Sequence, residues 1–204
     1  MLIVFDLDGT LSDSRRAIVD TFLDACSAMG CEPPEPGQVV SRIGLPLDRM
    51  FRELTEGDAQ ALSAAYRERY LHHDALTTRL FDGVEGLLQE LSHHTLAVAT
   101  SKSTEGAERT VRRAGIRHHF AHVLGHDSVA RPKPHADMLV EVMRRSGHPP
   151  DETRMVGDTV FDLQMADAAG VRGIAVSWGA HSPERLGPWP LVHTVPELAA
   201  RLLG

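Results

Sequence analysis

The chain has 204 residues, 42% of them hydrophobic and 24% charged, values that suit a globular protein with one core of ordinary size and room for a second, smaller one. A formal net charge of −7 argues against nucleic acid or an anionic membrane surface as the main partner, and leaves open a small anionic substrate that meets local charge. Two cysteines, Cys26 and Cys31, no basic leader and no apolar run of membrane-spanning length lead to the expectation of a cytoplasmic protein with reduced thiols and no signal peptide.

The first predicted strand is the apolar run Leu2 to Phe5, which ends in Asp6-Leu7-Asp8-Gly9-Thr10. Residues 14 to about 82 then read as consecutive helices, roughly 15–29, 36–43, 46–54 and 57–74. The first two are separated by the proline-rich loop CEPPEPG, and no strand signal intervenes. Val84, Leu87, Leu88 and Leu91 share one face of the next helix. From about residue 95 strands and helices alternate. TLAVAT (95–100), FAHVLG (120–125), TRMVGD (153–158) and VRGIAVSWG (171–179) are strand-like, with PLVHTV (190–195) as a last short strand. Between and after them, helical spacing predicts helices over 103–114, 135–147, 160–170 and 196–203. This alternation predicts an α/β fold, a Rossmann-like parallel sheet with helices on both faces, formed by residues 1–13 and 83–204. Residues 14–82 form a separate small helical domain inserted after the first strand.

In open parallel sheets ligands bind beyond the carboxyl ends of the strands. At those ends stand Asp6 and Asp8, then Thr100, Ser101 and Lys102, then Lys133 within RPKP, and lastly Asp158, Thr159 and Asp162. Hydroxyls, lysines and four carboxylates on one rim are the chemistry needed for a hard divalent cation and a phosphoryl group. Asp6 and Asp8 lie two apart, so both can face one substrate, one as nucleophile at phosphorus and the other as proton donor to the leaving oxygen.

The run FDLDGTL, the hydroxyl closing an apolar strand at Thr100, RPKP at Lys133 and GDTVFD at 157–162 together resemble the haloacid dehalogenase superfamily. Within it the chain is similar to the phosphatases with a helical cap inserted after the first motif, near the phosphoglycolate phosphatase branch. The resemblance covers essentially the whole chain, and implies an HAD-like core with a cap domain at 14–82 and Mg2+ as cofactor. It implies that Asp6 forms an aspartyl-phosphate and ligates magnesium. Asp8 acts as general acid and then base, with its backbone carbonyl reaching the metal. Thr100 and Lys133 hold the phosphoryl oxygens, assisted by the Ser101 amide, with Gly9 and Thr10 also binding phosphate. Asp158 ligates the metal and Asp162 supports it directly or from behind. The chain departs from many relatives at KPHAD, where KPxPD is frequent, and at FDGVEGLL, which lacks a common proline. Asp8 excludes the dehalogenases, which lack this second aspartate.

Each residue also has a plainer reading. Asp-x-Asp alone belongs more often to a turn, Thr100 can be a β-favouring strand end, and Asp158 and Asp162 can cap the following helix. The motif set taken together favours the catalytic reading. Three adjacent histidine pairs, His72–His73, His93–His94 and His118–His119, read as surface residues because helical neighbours diverge by about 100°. In the cap, Arg42 and Arg49 of SRIGLPLDRMF are candidates for a substrate carboxylate, against a plainer reading as exposed helix charges. Ile43, Leu45, Leu47, Met50 and Phe51 read as cap core.

The sequence therefore predicts a magnesium-dependent phosphatase, monomeric or homodimeric, acting on a small phosphorylated metabolite such as phosphoglycolate, without nucleic-acid or membrane partners. A β-phosphoglucomutase-like phosphotransferase is a rival, disfavoured because residues 14–82 contain no lysine and only His72 and His73. Pyrophosphatase or nucleotidase activity is a second rival. A non-catalytic binding protein is a third, and it would be expected to have lost Asp6, Asp8 or Lys133.

Overall fold

A computed structural model describes the backbone of residues 1–204 and the side chains of all but residues 75–77. The chain starts with β1 (Leu2–Phe5), a short strand β2 (Ser12–Asp13), and four helices, α1 (Arg15–Ala28), α2 (Pro36–Val40), α3 (Leu47–Leu54) and α4 (Ala59–Thr77). Next come β3 (Arg79–Leu80), α5 (Val84–Glu90), β4 (Thr95–Ala99), α6 (Thr104–Arg113), β5 (His122–Leu124) and α7 (Asp137–Ser146). The last part holds β6 (Thr153–Gly157), α8 (Val160–Ala168), β7 (Arg172–Val176), α9 (Pro183–Leu186), β8 (Leu191–Val192) and α10 (Val195–Leu203).

Six strands form a parallel sheet in the order β5-β4-β1-β6-β7-β8. β1 lies at its middle, pairing Leu2 with Thr95 on one side and with Thr153 on the other. A strand buried on both faces needs apolar residues at every position, and LIVF supplies them. Its side chains alternate between two cores. Ile3 and Phe5 pack with Val84, Leu88, Val111 and Leu198, contributed by α5, α6 and α10. Leu2 and Val4 face Met138, Leu139, Val142 and Met165 of α7 and α8.

The helices α1 to α4 enclose a third apolar cluster, built on Phe22, Phe51, Leu62 and Tyr66. Phe22 and Phe51 stack with ring centroids 4.1 Å apart, and Tyr66 meets Phe51 edge-on at 6.3 Å. Cys26 and Cys31 are free thiols beside it, and burial pushes the Cys26 thiol up to about 11. The sequence predicts no strand between 14 and 82, but β3 is there. It pairs antiparallel with β2, Ser12 opposite Leu80 and Asp13 opposite Arg79. Two residues are too few to leave a period-two signal, which is why sequence patterning passes over both strands. The ribbon joins the outgoing and returning chain where the sheet meets the helices.

Candidate active site

The turn after β1 places the aspartate pair. Asp6 N–H still donates to the Val156 carbonyl at 2.9 Å, continuing the sheet, and the chain then reverses at Gly9 with φ of 86°. A Cβ at Gly9 or at Gly179 would run into the Asp158 carboxylate, so both positions need glycine for the backbone to close around that acid. Thr10 Oγ1 donates to Asp158 Oδ1 at 2.9 Å, and the Ala180 N–H donates to Oδ2 at 2.7 Å. Thr10 therefore holds Asp158, and Gly9 makes room for it, where the sequence suggests phosphate ligands.

Asp6, Asp158 and Asp162 are buried, and their carboxylate oxygens lie within 4.8 Å of one another. Burial, followed by the neighbouring carboxylates, pushes Asp6 well above the usual carboxylate range, although Lys133 pulls it back. Burial and then Asp162 raise Asp158 to about 7. Crowded acids of this kind are what a divalent cation relieves, and the oxygen-only donor set suits Mg2+. Asp162 stands differently from the other two. Its Oδ1 accepts from Lys133 Nζ at 2.5 Å and its Oδ2 accepts from Thr159 Oγ1 at 2.7 Å and Thr159 N–H at 3.0 Å, in the capping box that starts α8. With both oxygens engaged, Asp162 serves first to fix Lys133. Asp8 is absent from the carboxylate cluster, so a metal role for it rests on its backbone carbonyl.

Lys133 has no exposed side-chain surface and bridges Asp162 to Asp6 Oδ1, which it reaches at 2.6 Å. Burial alone would lower its affinity for a proton, but the two carboxylates outweigh that and raise it. Asp6 Oδ2 accepts no hydrogen bond among the described residues, and Asp6 borders a cavity of about 330 Å³ with Asp8, Thr100 and Ser101. Asp8 is held at both oxygens, by Ser14 Oγ at 2.6 Å and by Lys102 Nζ at 3.1 Å.

Lys102 is the site residue that sequence reasoning underrates. Its Nζ also donates to Tyr70 OH of α4 at 2.7 Å and lies 4.2 Å from that ring's centroid. One signal could have found it: Lys102 and Lys133 are the only lysines in the chain, among 21 basic residues. Ser101 Oγ meanwhile donates to the Gly44 carbonyl at 2.5 Å, so the strand end that carries Thr100 is tied twice to the helical block.

Arg42 and Arg49 do not line this cavity, and both donate to Glu53, at 2.7 and 2.9 Å. Arg49 instead borders a second, more open cleft together with Arg52, Arg67, Arg131 and Lys133. Ile43, Leu45, Leu47 and Met50 pack in or against the helical cluster as expected, and they also line the cavity. None of the three histidine pairs joins a cluster able to hold a metal among the described residues.

The order of these groups along the sheet, nucleophile candidate, hydroxyl, lysine and acid pair, coincides with a family match. The profile of the haloacid dehalogenase-like hydrolases covers residues 3–176. The chain belongs to this family. It is 38% identical over 196 residues to the protein named "Probable phosphatase IndB" of Dickeya dadantii, covering 91% of this chain and 84% of that one. It is 33% identical over 208 residues to a phosphoglycolate phosphatase of Chromobacterium violaceum, covering 96% and 93%. Among solved structures, a haloacid dehalogenase-like hydrolase from Streptococcus pneumoniae superposes with a TM-score of 0.88 at 28% identity, covering 98% of this chain and 97% of that one. The protein is a phosphatase of the haloacid dehalogenase-like family. Among the described residues no helix is long and apolar enough to cross a membrane.

Proposed function

We propose that this phosphatase hydrolyses a small phosphomonoester, with Mg2+, through an aspartyl-phosphate on Asp6. The observation that carries the reading is Asp6 itself, which lines the cavity with its Oδ2 unengaged, beside a buried lysine ammonium and two further buried carboxylates. Asp6 Oδ2 attacks phosphorus, the bond from phosphorus to the ester oxygen breaks, and Asp8 gives its proton to the departing alcohol. Asp8 then takes a proton from a water whose oxygen attacks phosphorus, the Asp6–phosphorus bond breaks, and inorganic phosphate leaves. Ser14 and Lys102 fix the orientation of the Asp8 carboxyl group through both steps. Lys133 and Thr100 meet the phosphoryl oxygens, the lysine being already fixed by Asp162. Asp6 and Asp158 would hold the cation, which when bound offsets the negative charge of the carboxylates and the phosphoryl group.

A phosphoglycolate-like substrate is the expectation drawn from the resemblance of the cap. Arg42 and Arg49 pair with Glu53 and do not line the Asp6 cavity, so the reading keeps the phosphomonoester and gives neither arginine a substrate contact. The test is phosphate release from a panel of monoesters, including phosphoglycolate, sugar phosphates, nucleoside monophosphates and pyrophosphate, with and without Mg2+. Release is expected to need the cation and to fall by more than about a thousandfold in Asp6→Asn. Undiminished turnover in that folded variant would overturn the reading.

A further inference from the structure

The helical block presents its apolar side to Asp6. Ile18 of α1, Ile43 and Leu45 of the loop between α2 and α3, Leu47 and Met50 of α3 and Tyr66 of α4 line one wall of the cavity whose floor is Asp6, Asp8 and Thr100. Its volume of about 330 Å³ falls in the roughly 300–1,000 Å³ range of cavities that enclose whole organic ligands. Leu71, also on this cavity, leaves 47% of its surface exposed.

Most charged groups of the same cavity are paired with one another. Lys102 is engaged by Asp8 and Tyr70. Arg109 pairs with Glu105 at 2.7 Å, and the buried Asp74 carboxylate is balanced by Arg113 at 2.5 Å. Arg67, exposed and in no ion pair among the described residues, stands where this cavity meets the cleft bordered by Arg49 and Lys133.

Resting on the phosphomonoester reading above, we propose that the alcohol released by this enzyme has an apolar body of about ring size, seated against the Ile18, Ile43, Leu45, Leu47 and Met50 wall. The phosphoryl group sits against Asp6 on the cavity side, next to the Lys133–Asp6 pair, and the alcohol's carbon skeleton extends toward α3 and α4. Selection among monoesters then comes from desolvation of that wall, since each added apolar group covers more of it.

The test uses the full chain with Mg2+ and primary-alcohol esters of similar leaving-group basicity: ethyl, butyl and benzyl phosphate, beside phosphoglycolate. kcat/KM is expected to rise along the series, with benzyl at least tenfold above ethyl and above phosphoglycolate. Leu71→Asn, an exposed position outside the helical core, is expected to shrink the benzyl-to-ethyl ratio by about threefold or more. Calorimetric titration with benzylphosphonate and ethylphosphonate, which cannot turn over, should repeat the same order in Kd. Phosphoglycolate ahead of benzyl phosphate, or a flat series with equal phosphonate affinities, overturns this inference and leaves the phosphatase mechanism standing. No cation-dependent release from any ester overturns the mechanism, while the phosphonate titrations still judge the wall.

Discussion

The rim of the sheet and the helical block handle charge in opposite ways. At the rim, buried charges are locked to one another: Lys133 to Asp6 and Asp162, Asp158 to Thr10 and Ala180, Asp8 to Ser14 and Lys102. In the helical block the charges outside the cavity pair on the surface, Arg42 and Arg49 with Glu53 and Arg52 with Asp48, and the inward side is apolar. Water screens the second kind of pair, so it adds little stability or selectivity. The first kind is shielded, so removing one partner strands another. On the readings proposed above, the difference separates chemistry from choice, with the reaction assigned to the rim and the fit to the alcohol assigned to the block.

The largest effect should come from the rim. Lys133→Met leaves Asp6 and Asp162 facing each other without a counter-charge. It is expected to lower kcat by about a thousandfold or more and to cost about 3–5 kcal/mol of stability in metal-free buffer, read from denaturant unfolding. Recovery of part of that stability on adding Mg2+ would locate the loss in the carboxylates. An unfolding midpoint equal to that of the parent protein would break the comparison.

Next comes the seam between the two regions, where His181 is buried beneath the start of α8 and accepts from the Val160 N–H at 3.0 Å. Burial, helped by Arg185, pulls it from 6.5 down to about 4, so the folded state holds it neutral. Between pH 6.5 and 4 the unfolded chain binds the extra proton, and stability falls as pH falls. The loss over that window amounts to about 3 kcal/mol, complete near pH 4. A pH series of unfolding curves should show this slope, and His181→Gln should flatten it.

Lys102→Met cuts the tie from Asp8 to Tyr70. We expect kcat/KM to fall about tenfold to a hundredfold, from loss of a charged hydrogen bond worth about 1.5–3 kcal/mol, with Lys102→Arg recovering part of it. If the methionine variant matches the parent, the lysine only fills space. The smallest effect belongs to Arg49→Ala, a half-exposed pair expected to change stability by less than about 0.5 kcal/mol and kcat/KM by less than twofold. A larger loss of activity would return Arg49 to the substrate side and erase the division drawn above.

The parts of the molecule legible from sequence are those written in local patterns. β1 is apolar at each of its four positions, so its central place in a parallel sheet can be read directly, and with it the position of Asp6 at a strand end. Lys133 and Asp158 follow from their places after later strands. What stayed hidden depends on side-chain direction over long separations. Nothing local says that Glu53 collects both Arg42 and Arg49, that both Asp162 oxygens are taken by Thr159 and Lys133, or that Lys102 reaches a tyrosine 32 residues earlier. Ile43 and Leu45 were read correctly as core, but an apolar residue can serve a core with one side and a cavity with the other.

The β2–β3 ribbon has a consequence for how such a chain can diversify. The strand that leads out of the sheet and the strand that leads back are hydrogen-bonded neighbours, Ser12 beside Leu80 and Asp13 beside Arg79. Whatever is spliced between those two strands begins and ends at nearly one point, so it places no demand on the spacing of the six parallel strands. A change in length or composition between β2 and β3 is therefore expected to leave the pairing of the six parallel strands intact.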